Sequence, residues 1–361
     1  MKKATHRLFP LIVFAALILM NSCETEVDLL APYEETPVIY GILDYTADTQ
    51  FVRINKTFLG EGDPSQYSVI KDSVEYPLDA VEAYIYKLTE SGNLVDSFLL
   101  ETVEIPSRDP GIFYDTDVLF YFTDEPILTE SEISNPEDFI FELRALIRGN
   151  LYTASTQFPG LSESTIIAPV LNTPPQKIQF VLPSQIFTSY NFKFRTDQFS
   201  ASYATRLRLN FDYETSDGTV VEGAFIDYNT GTFSNPELES GQEINVTVFG
   251  ESWFAFLGTE FDLIPGLDEV RIENIEFLVT GATPDLNTYL EVAQPVSQFT
   301  PTLTSFTNIS NGGIGIFASV ATRQREAWLT EPTLLKFNES ELTLPYNYCV
   351  QDWVGSNFVC N

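Results

Sequence analysis

Hydrophobic and polar residues alternate with a period of two along much of this chain, the spacing that sends successive side chains to opposite faces of a β-strand. In residues 51–58, Val52 and Ile54 fall on one face and Arg53 and Asn55 on the other. In residues 81–86, Val81, Ala83 and Ile85 alternate with Glu82, Tyr84 and Tyr86. The runs 37–43, 94–103 and 118–122 are apolar, β-branched or aromatic and read as further strands. Residues 139–147 and 151–158 flank Arg148-Gly149-Asn150, which predicts a β-hairpin. Short strands separated by turn residues predict an immunoglobulin-like β-sandwich over 37–158.

Pro159-Gly160, Pro169 and Pro174-Pro175 punctuate residues 159–176, which read as a linker. Strand patterns resume at 178–182, 190–195, 206–213, 220–226, 244–249 and 270–280, with Ser216-Asp217-Gly218 as a tight turn. Helical character is confined to 251–257 and to 284–293, the latter with Thr283 in the capping position. The expected fold is mainly β: the N-terminal sandwich, then a second β-rich domain over 177–361 with one or two short helices.

The N-terminus breaks the pattern. Lys2, Lys3 and Arg7 precede an apolar run over residues 8–20, and Asn21, Ser22 and Cys23 follow. The run is shorter than the roughly 20 residues a membrane-spanning helix needs. A positive start, a short apolar middle and small residues before a cut mark a secretory signal, here residues 1–22. A cysteine directly after the small residue points to lipoprotein processing, which makes Cys23 the acylated first residue. Lipoprotein signals prefer Leu three positions before that cysteine; Met20 stands there, next to Leu19. Residues 23–36, opening with Glu24, Glu26 and Asp28, read as an acidic tether.

Charge and composition narrow the chemistry. The chain has 51 acidic and 19 basic residues, a formal net charge of −32. Three of the basic residues precede Cys23, and all the acidic ones follow it. Such a field repels phosphate backbones and anionic lipid, which excludes nucleic acid as a partner and leaves acyl chains as the membrane link. The single histidine is His6, inside the leader. Its absence from the rest of the chain excludes Ser-His-Asp and Cys-His catalysis and His-ligated metal sites, and leaves carboxylate, Lys, Tyr and oxygen-ligand chemistry. Cys349 and Cys360 are expected to form a disulfide staple at the C-terminus, as two cysteines outside the cytoplasm do.

Individual motifs carry little catalysis. Asn311-Gly312-Gly313-Ile314-Gly315 precedes a strand-like run rather than a helix, so its glycines read as a turn beside a close-packed strand and not as a phosphate cradle. Asp115, Asp117, Asp124, Glu125, Glu130, Glu132, Glu137 and Asp138 lack calcium-loop spacing and read as a solvated face, with no metal or cofactor expected. Tyr33, Tyr40, Tyr45, Tyr84 and Tyr86 read as packing residues. Asp72-Ser73-Val74 matches a short Asp-Ser/Thr-apolar pattern for O-glycosylation, with Ser73 as acceptor in a polar loop.

Several segments together resemble an uncharacterised family of Bacteroidota cell-surface lipoproteins: the Cys23-Glu-Thr-Glu start, Pro37-Val-Ile-Tyr-Gly-Ile-Leu-Asp, the Tyr84-Ile-Tyr edge, and the stretch from Phe306 to Phe317. Such proteins often accompany TonB-dependent outer-membrane receptors. The resemblance implies a lipid-anchored protein of the outer membrane facing the exterior, with an outer-membrane β-barrel as partner and no assigned reaction. The expected function is therefore a non-catalytic binding or accessory module. A carboxylate-dependent glycan hydrolase and a structural or adhesive envelope protein stand as the alternatives.

Overall fold

The computed structural model describes residues 35–58, 65–105, 114, 116–293, 306–351 and 358–360. Residues 1–22, read from the sequence as a leader, and Cys23, Tyr33 and Asp115 lie outside them. Thr36–Asn361 is one compact unit, mainly β.

Its first strands form two layers. β1 (Pro37–Asp44) pairs antiparallel with β2 (Gln50–Lys56). β3 (Val81–Thr89) and β4 (Leu94–Leu99) belong to the opposite sheet, whereas β5 (Glu101–Ile105) and β6 (Val118–Thr123) return to the sheet of β2. The run 94–103, which the sequence reads as one strand, is thus two strands in different sheets. The chain crosses between layers at buried Leu100, which an unbroken apolar pattern does not reveal. β7 (Phe139–Ile147) and β8 (Asn150–Gln157) make the expected hairpin. Arg148 and Gly149 both take positive φ, at 47° and 83°, which suits a two-residue turn between right-twisted strands.

The four-stranded sheet β4-β3-β7-β8 packs against the β1–β2–β6 layer. Ile39, Leu43, Val52, Ile54 and Tyr121 meet Ile85, Phe141, Leu143 and Ala145 in this first core. The arrangement is sandwich-like. Its sheet continues into β16 (Ile314–Leu329), which runs parallel to β1 and contributes Phe317 to the first core.

The second half adds β9 (Ile166–Ala168), β10 (Lys177–Ile178), β11 (Ser189–Arg195), the long β12 (Ser202–Thr215) and β13 (Val220–Ser234), then β14 (Glu243–Phe249), helix α1 (Gly250–Asp262) and β15 (Leu267–Ala282). Helix α2 (Pro284–Ala293) precedes β16, and α3 (Glu331–Glu339), β17 (Asn347–Gln351) and β18 (Phe358–Cys360) follow it. The major sheet runs β13-β12-β15-β16-β1-β2-β6-β5, with β10 on β16 and β17 on β15. A three-stranded sheet, β14-β11-β9, and helices α1 and α3 cover its second half. Phe192, Phe194, Leu209, Phe277, Trp253, Phe254 and Phe337 are buried in this second core.

Helix α2 has the bounds read from the sequence. Thr283 stands before its first residue, and the Thr283 hydroxyl donates to the Ser319 carbonyl. Helix α3 is a third helix the hydrophobic pattern missed, because Leu334 and Phe337 are its only large buried side chains. Ser73 sits in a one-turn helix, Lys71–Val74, and not in a loop; its N–H donates to the Ile70 carbonyl. Among the described residues, no helix is long and apolar enough to cross a membrane. Cys349 is buried and disulfide-bonded, and Cys360 is its register partner between β17 and β18.

Candidate functional site

A cavity of about 900 Å³ lies along β16. It touches the successive residues Thr322, Arg323, Gln324, Arg325 and Glu326. Successive strand residues point to opposite faces, so a cavity that touches all five lies at the edge of the strand. Sheet register explains the opening. On one side β16 pairs continuously with β15, from Val320 opposite Ala282 to Ala327 opposite Ile275. On the other side β1 stops at Asp44 opposite Val320, and β10 begins at Lys177 opposite Trp328. Among the described residues, no strand lies beside 321–327 on that side.

The sequence sets both ends of this gap. At Asp44 the chain turns sharply: the Asp44 carboxylate accepts from the N–H and hydroxyl of Thr46, and Gln50 bonds the Asp44 backbone in both directions. At the far end Gln176 holds the strand entry. Its carbonyl accepts from the Trp328 N–H, its side-chain carbonyl accepts from the Val170 N–H, and its amide donates to the Tyr190 hydroxyl.

Two guanidinium groups build the inner wall. Arg323 donates to the carbonyls of Leu161 and Ile133, each at 2.9 Å, and lies 5.6 Å from the Tyr45 ring centre. Arg325 is only 7% exposed and donates to the Glu163 carbonyl at 2.6 Å. Burial lowers the affinity of Arg325 for its proton, and nearby Glu163 opposes that shift. No carboxylate among the described residues pairs with either arginine at salt-bridge distance. Both are spent on backbone carbonyls of residues 133–163, which they lock against β16. Residues 159–176 are accordingly ordered, with Leu161 and Ile166 in the second core.

Behind Arg323 the two cores meet. Tyr45 packs against both, and its ring lies 5.1 Å from that of Phe158. Its hydroxyl and one oxygen of Glu137 are buried and have no hydrogen-bond partner among the described residues. Burial raises the pKa of both groups; Arg323 pulls in the opposite direction on each.

The outer rim is anionic. Glu276 on β15 stands directly opposite Glu326 on β16. Asn274 and the Trp328 indole donate to Glu326, and Gln324 donates to Glu276. Farther across the sheet Arg208 is opposite Glu276 and Asp227 is opposite Arg208. Arg208 clasps Asp227 through two bonds, of 2.7 and 3.0 Å, and this ion pair depresses the Asp227 pKa. The row therefore reads Asp227, Arg208, Glu276, Glu326 and then the open edge.

Sequence reasoning did not single out this site. Charged residues on both faces of 322–326 hide the strand period, although Phe317, Ser319, Ala321, Ala327 and Leu329 keep the inward parity throughout. The residues it did single out lie elsewhere. Ser73 is half-buried beside a smaller cavity that Asp72 and Glu75 help to line. Tyr84 and Tyr86 stand on the outer face of β3, with Arg144 4.4 Å from the Tyr86 ring centre. Tyr40 lies with Tyr289, Phe51 and Phe120 around an apolar hollow beside α2; burial and the Tyr289 contact push its pKa up to about 12. The acidic residues of 124–138 are spread out: Glu132 is held by Lys87 and Thr129, and Glu137 faces the seam. Among the described residues no group of three or more His, Cys, Asp or Glu side chains is placed to hold a metal ion. The glycine motif is a turn beside β1: Asn311 and Gly312 take positive φ, and Gly315 lies against the Ile39 backbone.

No protein-family model matches this chain, and no curated protein matches it. Among solved structures, one described as the Streptococcus agalactiae AgI/II polypeptide BspA C terminal domain aligns over 68% of this chain and 94% of that one, at 11% identity and a TM-score of 0.12. A chain named BspA_C_WT aligns over the same shares, 68% and 94%, at 10% identity and a TM-score of 0.14. Alignments this weak establish neither a common fold nor a common role.

Proposed function

We propose that this chain is a non-catalytic, lipid-anchored protein of the outer-membrane surface that binds a partner through the cleft beside β16, as an accessory to an outer-membrane β-barrel of the nutrient-uptake kind. The cleft is the observation that carries this reading. It is lined by recognition groups: an open strand edge, a carboxylate rim, and guanidinium groups committed to holding the wall. The anchor rests on the leader and Cys23, and the surface location on the resemblance to cell-surface lipoproteins. The two layers and shared sheet supply a rigid frame, which suits a docking module.

Mass spectrometry of the mature protein tests the anchor: the expected N-terminal residue is Cys23, carrying fatty acyl chains. Purification from gently solubilised outer membranes tests the partnership. Co-purification of a β-barrel is the expected result, and recovery of the protein alone would count against it.

One observation favours a second reading. Glu276 and Glu326 face each other at the spacing of directly opposed strand residues, roughly 5 Å between Cβ atoms, with Trp328 alongside. A retaining glycosidase places its carboxyl groups about 5–5.5 Å apart. Glycan hydrolysis that disappears in Glu326→Gln would replace the binding role with this one.

A further inference from the structure

Backbone N–H and C=O groups of alternate strand residues point to opposite edges. In β16, Trp328 and Thr330 donate their N–H groups toward β10, to the carbonyls of Gln176 and Ile178. Counting back in steps of two, Glu326, Gln324 and Thr322 aim their N–H and C=O groups at the same side, into the cleft. Strand β10 and strand β1 end before reaching them, and no described residue hydrogen-bonds to their backbone. An interior strand of the major sheet thus carries six unpaired backbone groups facing a cavity of about 900 Å³. Seven residues of strand span about 23 Å, which is the length of the gap between the two flanking strands.

From this geometry we infer that the cleft binds an extended cationic peptide segment of a partner protein, which adds to β16 as a strand between β1 and β10. Main-chain pairing at Thr322, Gln324 and Glu326 supplies the attachment, as in other cases of strand addition. Charge supplies the selectivity. The outward row ends in Glu276 and Glu326, two like charges directly opposite each other, an arrangement that is unfavourable by itself. Arg208 lies on the far side of Glu276 and is already engaged by Asp227. A Lys or Arg on the incoming strand, opposite Glu326, completes the alternation of charge across the sheet. The alternate residues of that strand point inward, toward the face that carries Ile166 and the carbon stems of Arg323 and Arg325, and are apolar. The motif is cation or polar outward and apolar inward. The inference rests on the reading of the cleft as a binding site, but it needs neither the acyl anchor nor a barrel, so the two can fail separately.

A labelled peptide, acetyl-Thr-Lys-Val-Thr-Val-Lys-Thr-amide, tests this with the full chain in mild detergent. Its palindromic order presents the same pattern in either strand direction. Binding is expected, with exchange of the Thr322, Gln324 and Glu326 amides slowed in deuterated solvent. The analogue with Glu in place of Lys should fail to bind. N-methylation of alternate peptide amides, made in both phases, should abolish binding in one phase and spare it in the other, because one peptide edge pairs with β16. Glu276→Gln with Glu326→Gln, both outward-facing, should weaken binding about tenfold and leave the melting temperature nearly unchanged. Equal binding by both N-methylated forms, or by the acidic analogue, would overturn the proposal. Slow exchange of the Thr322, Gln324 and Glu326 amides in the peptide-free monomer would overturn it by showing that the chain itself fills the edge. Slow exchange only in a self-associated form would assign the edge to a second copy.

Discussion

Two carboxylates near the sheet, Asp227 and Glu137, show how one chemical group takes opposite roles. Asp227 accepts from Arg206 and Arg208, and the Arg208 bonds hold its pKa below the usual carboxylate range. A depressed carboxylate contributes stability that is present above the unfolded value, about 3.9, and is lost as pH falls through the folded one. Glu137 is the reverse: burial raises its pKa and one oxygen lacks a partner. Its contribution is complete below the unfolded value, about 4.3, and is lost as pH rises through the folded one. Thermal melts between about pH 7 and pH 2 should therefore separate two variants. Asp227→Asn should cost stability at neutral pH and converge on the parent in acid. Glu137→Gln should gain on the order of 0.5–1 kcal/mol at neutral pH and lose that advantage in acid. A Glu137→Gln melt below the parent at pH 7 would show that Arg323 compensates its charge by more than burial penalises it.

At the scale of elements, much was legible where the signal is local. The 139–158 hairpin announces itself by two periodic runs around Arg148-Gly149, and α2 by its proline start and spacing. The Asn311–Gly315 turn is legible for the same reason, and its last glycine can be tested. Gly315 has φ of 117° and lies opposite Ile39 in the parallel β1–β16 pairing. A Cβ there would collide with the Ile39 carbonyl. Gly315→Ala should cost about 2 kcal/mol or more, read as a lowered denaturation midpoint. Little or no loss would mean that β1 can shift away from β16. What was not legible at this scale is the break at Leu100, the helix α3, and the strand 321–329. Each owes its conformation to a distant partner: Leu100 crosses between layers, Thr333 in α3 accepts from the Phe180 and Val181 amides, and β16 is fixed by β15 and β1.

For the molecule as a whole, β16 is the shared member of two cores. Phe317 is buried in the first and Ala321, Ala327 and Leu329 in the second, while Tyr45 touches both. Arg323, between them, fastens residues 133 and 161 to the same strand. Unfolding should accordingly be one cooperative event. Phe317→Ala, worth about 3–5 kcal/mol in a packed core, should lower the transition sensed by Trp253, which is fully buried in the other core. The measurement is fluorescence with Trp328 and Trp353 replaced by Phe. An unchanged Trp253 transition would show that the cores melt independently.

The amino-acid sequence by itself determined the strand-rich character, the tight turns and the helix at 284–293, and it alone is the basis for proposing a leader that ends before Cys23 and contains the single histidine, His6. Those features depend on residue type, on spacing within a few positions and on net charge, all of which are local or summed quantities. Tertiary structure alone decided that β16 lies between β15 and β1, that β1 ends one residue short of Ala321 and β10 begins only at Trp328, and that Glu276 stands against Glu326. Strand pairing joins residues separated by tens to hundreds of positions, and a period-two pattern says which way a side chain points without saying which strand lies beside it. The open edge is a property of missing neighbours, and neighbours exist only in the folded chain.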